Sequence, residues 1–163
     1  MTKSAKRNLE DLLEDFDVAM MITFAGGQTP HARPMQIAEA DDDGQLYFAT
    51  SLDSAKLRDI EIDPRVLLIM QEGSVYVSLS GTAHPSTDRS LINRLWSEAW
   101  QVWFPEGKDD PNIVILRVEP EEAEYWDNSG VEGIAYAMTA LKAYVKGERP
   151  SETDAAQHAK VQM

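Results

Sequence analysis

VAMMITFAGGQTPHARPMQIAEADDDGQLYFAT, residues 18–50, holds three extended runs separated by two turns. VAMMITF (18–24) is short and apolar without helical spacing, as expected of a buried strand. Gly26-Gly27 marks a turn, and HARPMQIAEA (31–40) reads as a second strand. Asp41-Asp42-Asp43-Gly44 is a second turn, and QLYFAT (45–50) follows as a third strand. Strands joined by tight turns form an antiparallel meander. No alternating strand–helix–strand pattern follows, which argues against a Rossmann fold and for a β-barrel with helices packed outside.

On the N-terminal side, Leu9, Leu12, Leu13 and Phe16 have helical spacing, which predicts an amphipathic helix over about 2–15. On the other side, residues 54–62 read as a short helix with Leu57 and Ile60 inward, stopped by Asp63-Pro64 because proline disfavours helix in the residue before it. VLLIMQ (66–71) is an apolar strand, and VYVSLSGTA (75–83) alternates, with Val75, Val77 and Leu79 on one face. Ser86 is the expected N-cap of a helix over 87–100, with Leu91, Leu95 and Trp96 inward. WFPEGKDDPN (103–112) reads as a loop, IVILRV (113–118) and EAEYWD (122–127) as two strands, and GIAYAMTALKAYVK (133–146) as a helix ended by Gly147. Residues 1–147 form one expected domain, and 148–163 a polar, loosely packed tail.

Composition narrows the function. The chain has 163 residues with 15 Lys+Arg against 28 Asp+Glu, a net charge of −13. Nucleic acid and an anionic membrane both need a basic surface, so neither is expected as the main partner. The absence of cysteine removes disulfides, thiolate metal sites and thiol nucleophiles. No apolar core follows Arg7 and no run approaches the roughly 20 apolar residues of a membrane helix, so a cytoplasmic location is expected. His31, His84 and His158 show no metal-ligand spacing, and no metal site is expected. P-loop, GxGxxG, HExxH and GxSxG motifs are missing, and no nucleophile stands out. Chemistry, if any, is then expected from a cofactor.

Three segments carry the chemical signal. ATSLDSAKLRDIEID (49–63) ends a strand at Thr50 and opens a helix near Asp53 or Ser54. The hydroxyls of Thr50, Ser51 and Ser54 and the unpaired amides of a helix start together suit an anion. Lys56 and Arg58 sit in the first turns while Asp59, Glu61 and Asp63 crowd the end, and both placements oppose the helix dipole. A phosphate beside Lys56 would remove the conflict at one end; solvated charges would simply tolerate it. In His31-Ala32-Arg33-Pro34-Met35, an extended chain places Arg33, Met35 and Ile37 on one face. Pro34 lacks an N–H, so this strand lies at an edge or a barrel opening. Arg33 there either meets the polar rim of a planar heterocycle or snorkels or pairs with Glu39. Trp96, Trp100, Trp103-Phe104 and Tyr125-Trp126 concentrate the aromatics; Trp103 and Phe104 fall in a loop, as a dimer contact or a lid on a flat ligand would.

Together these residues resemble the pyridoxamine 5′-phosphate oxidase-like split barrels. The likeness runs through Arg33-Pro34-Met35, Asp41–Gly44, Leu46–Thr50, Ser54-Ala55-Lys56, Asp63–Val66 and Tyr76–Gly81. Trp103-Phe104-Pro105, Asp109-Asp110-Pro111 and Glu121–Asp127 are similar to its general stress protein 26-like branch. The resemblance covers about residues 10–128. It implies a homodimeric, six-stranded antiparallel Greek-key split β-barrel with FMN, or FAD, at the subunit interface. By position, Arg33, Pro34 and Met35 are implied to lie along the isoalloxazine. Ala49 and Thr50 are implied near the ribityl phosphate, and Ser54, Ala55 and Lys56 on the phosphate itself. Tyr76, Trp103 and Trp126 are implied to approach the flavin, the two tryptophans across the dimer.

The oxidase proper carries a lysine five residues after the strand arginine, where this chain has Ala38. Its C-terminal basic and aromatic grip on FMN and pyridoxal phosphate has no counterpart here either. Vitamin B6 oxidation is therefore not the expectation. Two readings remain: a flavin-dependent oxidoreductase of unknown substrate with NAD(P)H or a small molecule as partner, and a flavin-binding carrier or sensor without turnover. A third keeps the barrel, as an acidic interaction module, without flavin.

Overall fold

The computed structural model describes residues 9–27, 29–127 and 158–163. Residues 9–13 are helical, and Leu9 and Leu13 are fully buried. The start of that helix, and the helix expected over 133–146 with its Gly147 stop, lie outside the described residues.

The strands are β1 (Val18–Thr23), β2 (His31–Gln36), β3 (Glu39–Ala40), β4 (Leu46–Ser51), β5 (Arg65–Glu72), β6 (Val75–Ser86), β7 (Ile113–Asp127) and β8 (His158–Gln162). They form one antiparallel sheet in the order β2-β1-β5-β6-β7-β4-β3, with β8 also on β7. The six longer strands are those of the split barrel; β3 and β8 are additions. Helix α1 (Ala55–Ile62) carries the chain from β4 at one side of the sheet to β5 near the other, the step that makes the topology a Greek key.

The run expected as one strand over 31–40 divides into β2 and β3, which sit at opposite ends of the sheet order. The change of side occurs in two residues. The amide of Ile37 donates to the Asp17 carbonyl at 2.8 Å, beside β1, and the amide of Ala38 donates to the Tyr47 carbonyl at 2.7 Å, on β4. One bent stretch of chain thus closes the sheet on itself. The three-strand meander expected from 18–50 is correspondingly revised: β1 and β2 pair as a hairpin, but β2 and β4 share no ladder. Pro34, with no N–H to give, stands on that free edge.

β1 is not buried on both faces. Ala19, Met21 and Thr23 point inward and are closed to solvent, whereas Val18 and Met20 are 49% and 39% exposed. β4 is the two-faced strand. Leu46 and Phe48 enter the barrel core, and Tyr47 joins a second cluster outside it with Ile92, Leu95, Trp100, Phe104, Ile113 and Ile115. That outer cluster explains why the helix expected over 87–100 is shorter. Helix α2 spans Arg89–Leu95, capped by Asp88 rather than Ser86, whose hydroxyl accepts from the Asp88 amide instead. At Trp96 the backbone turns extended, and a 3-10 turn (Glu98–Val102) takes over. The break lets Leu95, Trp100 and Phe104 all reach the curved outer face of β4 and β7, and turns Trp96 edge-on to Trp100 with centroids 5.8 Å apart.

The two strands expected at 113–118 and 122–127 are one, β7. Pro120 does not end it, because β6 shifts register between Ser80 and Gly81, opposite the proline. Gly81 is obligatory there: a Cβ would collide with the Glu119 carbonyl. The end of the tail is also not loose. β8 pairs with β7 from Glu122 to Trp126, Val161 is buried, and the Met163 amide donates to the Glu121 carbonyl at 2.9 Å.

Gly81→Ala should cost about 3 kcal/mol of unfolding free energy, because the bulge backbone must move to admit the methyl. Urea denaturation monitored by tryptophan fluorescence measures it; a loss under about 0.5 kcal/mol would show that the bulge is not tight.

Candidate functional site: the split of the barrel

Where β2 and β4 part, a cleft of about 420 Å³ opens, within the range of small-molecule sites. Pro34, Met35 and Gln36 form one wall, and Ala49, Thr50 and Ser51 the other. Ser54 and Lys56, at the start of α1, close one end. Trp100, Trp103 and Phe104 supply aromatic surface. Trp100 and Phe104 are held by the outer cluster, while Trp103 is 78% exposed at the rim. The loop behind them is tied by Arg89, whose guanidinium donates to the carbonyls of Lys108 and Asp110.

The polar end is built by local sequence. Ser54 caps α1 and its Oγ accepts from the Leu57 amide. Thr50 Oγ1 donates to Ser54 Oγ at 3.2 Å and accepts from Lys56 Nζ at 2.9 Å. Two N–H bonds of the Lys56 ammonium and the Ser54 hydroxyl proton are left for a ligand. So are the amides of Ala55 and Lys56, which have no partner among the described residues. Burial first, then the positive charge of Arg33, push the Lys56 pKa below the ordinary lysine value. A half-buried ammonium with a cation nearby is the state that a bound anion relieves.

Of the residues expected at the site, Pro34, Met35, Ala49, Thr50, Ser54, Lys56 and Trp103 line the cleft. Ala55 does not; it contributes only its backbone at the helix start. Tyr76 and Trp126 face each other across β6 and β7, away from the cleft, and the Tyr76 hydroxyl accepts from Gln71. Arg33 is also not on the lining. Its side chain turns into the barrel wall: Nη1 donates to Thr23 Oγ1 at 2.7 Å and Nη2 to Asp59 Oδ2 at 3.3 Å. It neither extends into solvent, being mostly buried, nor pairs with Glu39, which is held by Arg94 at 2.6 Å.

Asp59, Thr23 and His31 were not legible as site residues. Thr23 donates to Asp59 Oδ2 at 2.7 Å, and His31 Nδ1 lies 3.2 Å from the same oxygen. The Thr23 bond chiefly, helped by His31 and Arg33, keeps the Asp59 pKa below its ordinary value despite burial. The one available signal was a hydroxyl at the third inward position of β1, after Ala19 and Met21. The acidic end of α1 is thereby answered inside the protein. Asp59 has Arg33, and Asp63 is clasped by Arg65 at 2.6 and 2.9 Å, which lowers its pKa to about 2. The basic start, at Lys56, is left without an anion among the described residues.

The comparisons with known proteins agree with this architecture. The family model described as "Pyridoxamine 5′-phosphate oxidase like" matches residues 4–151. General stress protein 26 of Bacillus subtilis is 34% identical over 122 residues, covering 72% of this chain and 84% of that protein. Among solved structures, a putative general stress protein 26 from Jannaschia sp. CCS1 superposes with a TM-score of 0.73 over 100% of both chains, at 24% identity. The general stress FMN/FAD binding protein of Xanthomonas citri is 30% identical with a TM-score of 0.67, covering 79% of this chain and 92% of that one. With the closed sheet, the split and the order of its motifs, the chain belongs to the pyridoxamine 5′-phosphate oxidase-like family, among proteins named for general stress.

Proposed function

We propose that the split of the barrel binds a flavin nucleotide, with FMN as its first ligand, and that the protein serves flavin-dependent redox chemistry. The observation that carries this reading is the Thr50–Ser54–Lys56 cluster at one end of an aromatic cleft. Its donors suit a phosphate, and Pro34, Met35, Trp100 and Phe104 suit a planar ring system. The FMN/FAD-binding description of the Xanthomonas citri relative supports the same choice. When bound, a flavin supplies hydride or electron transfer. The chain's own residues hold the phosphate by charge-assisted bonds, each worth about 1.5–3 kcal/mol, and keep water from the ring with the buried Met35, Trp100 and Phe104.

A homodimer belongs to the same proposal. Val18, Met20, Ile69 and Tyr76 are 37–49% exposed on one outer face of β1, β5 and β6. Met20 and Ile69 are directly paired, so their side chains form a continuous apolar ridge. Pro34 is paired with Met20 and lines the cleft, so a second copy on this ridge would border the ligand. Tyr76 and Trp126 would then approach the site from across the dimer, which accounts for their distance from it within one chain. The carrier or sensor reading keeps a specific support: position 38 is alanine, at the very point where the chain switches from β1 to β4.

Two outcomes test the proposal. In flavin fluorescence titrations, FMN should bind at least about tenfold more tightly than riboflavin, and Lys56→Ala should abolish the difference. The sign with pH follows from Lys56: the ammonium form binds phosphate, so FMN affinity should fall as pH rises through a lysine pKa lower than 10.5. Equal affinity for FMN and riboflavin would sink the site; tight binding with no reduction by NAD(P)H or another donor would leave the carrier reading in possession. For the dimer, Ile69→Glu should convert a dimer to a monomer in sedimentation velocity, and a wild-type protein that sediments as a monomer at tens of micromolar would remove the interface.

A further inference from the structure

Asp59 on α1 is a buried carboxylate that does not line the cleft. It lies three residues after Lys56 on α1, so both project from the same side of the helix. Its Oδ2 collects three partners: Thr23 from the end of β1, and His31 and Arg33 from β2. Thr23 also accepts from Arg33, so the three side chains Arg33, Thr23 and Asp59 form a closed triangle. The side chains of Arg33 and Asp59 are 21% and 12% exposed, so water screens this pair only in part. Arg33 is followed in the chain by Pro34 and Met35, which form a wall of the cleft, and its charge is felt at Lys56.

Resting on the flavin-nucleotide reading, we propose that Asp59 is a positioning residue that sets the strength of the cleft's anion site, by holding Arg33 turned away from the ligand and offsetting part of its charge. The argument is electrostatic. Lys56 would face a second full positive charge if Arg33 were unpaired. The two cations would attract an anion together and repel each other in its absence. Asp59 offsets part of that excess, and what remains of the Arg33 charge is still felt at Lys56. Lys56 is left as the working cation at the ligand's end, with an ion pair behind it. The same contacts pin α1, which carries Ser54 and Lys56, to β1 and β2, so the width of the cleft depends on them.

The consequence is a pair of opposite effects. Asp59→Asn keeps an oxygen for Thr23 and Arg33 but removes the negative charge. FMN should then bind more tightly, by about fivefold, with riboflavin unmoved. Arg33→Gln leaves Asp59 uncompensated near Lys56, and FMN should bind about fivefold more weakly, again with riboflavin unmoved. The double variant restores the balance and should fall within about twofold of wild type. Full-length protein is titrated with FMN and riboflavin by flavin fluorescence, and with inorganic phosphate by calorimetry, each at low and high salt. Circular dichroism establishes that each variant is folded.

Parallel loss of FMN and riboflavin affinity in Asp59→Asn would mean that the carboxylate only supports the wall, and would overturn the proposal. So would unchanged FMN affinity in Arg33→Gln, the variant that decides the matter if Asp59→Asn does not fold. A double variant displaced well beyond twofold from wild-type FMN affinity would do the same. If wild-type protein does not prefer FMN to riboflavin, the flavin reading fails by itself. The phosphate titrations then decide Asp59 without it: opposite shifts in the two single variants uphold the proposal, and identical phosphate affinity in all variants rejects it.

Discussion

Ile37 and Ala38 hold the barrel together by pointing their amides to opposite sides. One donates toward β1 and the next to β4, so consecutive residues stitch the two ends of the sheet. A sheet that closes in this way keeps unpaired edge along the split, on β2 and the end of β4. It also has no choice about where it opens. Below the stitch, β2 and β4 diverge without a ladder between them, and Pro34 guarantees that one donor on that edge is missing. The cleft is therefore a consequence of closure. A backbone that must bend to pair on both sides cannot remain paired along its whole length.

The helix that borders the cleft is governed by charge. α1 carries no acidic residue in its first turn and no basic residue in its last, the reverse of what its dipole favours. At the C-terminal end the protein answers this internally. Asp59 is wrapped by a threonine, a histidine and an arginine, and Asp63 is clasped by Arg65. At the N-terminal end it answers with hydroxyls and a lysine whose charged form is disfavoured by burial. The structure thus answers charge at one end of this eight-residue helix and leaves Lys56 at the other without an anion among the described residues.

Aromatic packing supplies the other side of the site by a different route. Tyr47 points out of the barrel, where Ile92, Leu95, Trp100 and Phe104 cover it. Because β4 is sandwiched in this way, its end at Ala49–Ser51 is stiffly placed while its free edge faces the cleft. The hydrophobic energy that orders the 3-10 segment thus also sets two of the three aromatic residues at the cleft. No helix of the described residues is long and apolar enough to cross a membrane, and no cluster of metal-ligating side chains occurs among them.

Much of this was already present in the order of residues. Period-2 alternation in 75–83, the turn at Asp41–Gly44, the serine cap and proline stop of α1, and the misplaced charges of 54–63 are local properties, and local chemistry acts before any fold exists. The antiparallel barrel and the Thr50–Ser54–Lys56 cluster follow from them, since all three side chains lie within seven residues. What needed the tertiary structure was every feature that depends on residues distant in sequence. The split of 31–40 into two strands depends on Asp17 and Tyr47, and the shortening of the helix after Leu95 on a sheet face built by β4 and β7. The merging of two strands into β7 depends on Gly81, some 40 residues before Pro120. Arg33 turned inward because Asp59, 26 residues later, gave it a partner that solvent and Glu39 did not. A side chain in one sequence has many charges it could meet, and only the packed backbone decides which of them comes within 3 Å or so.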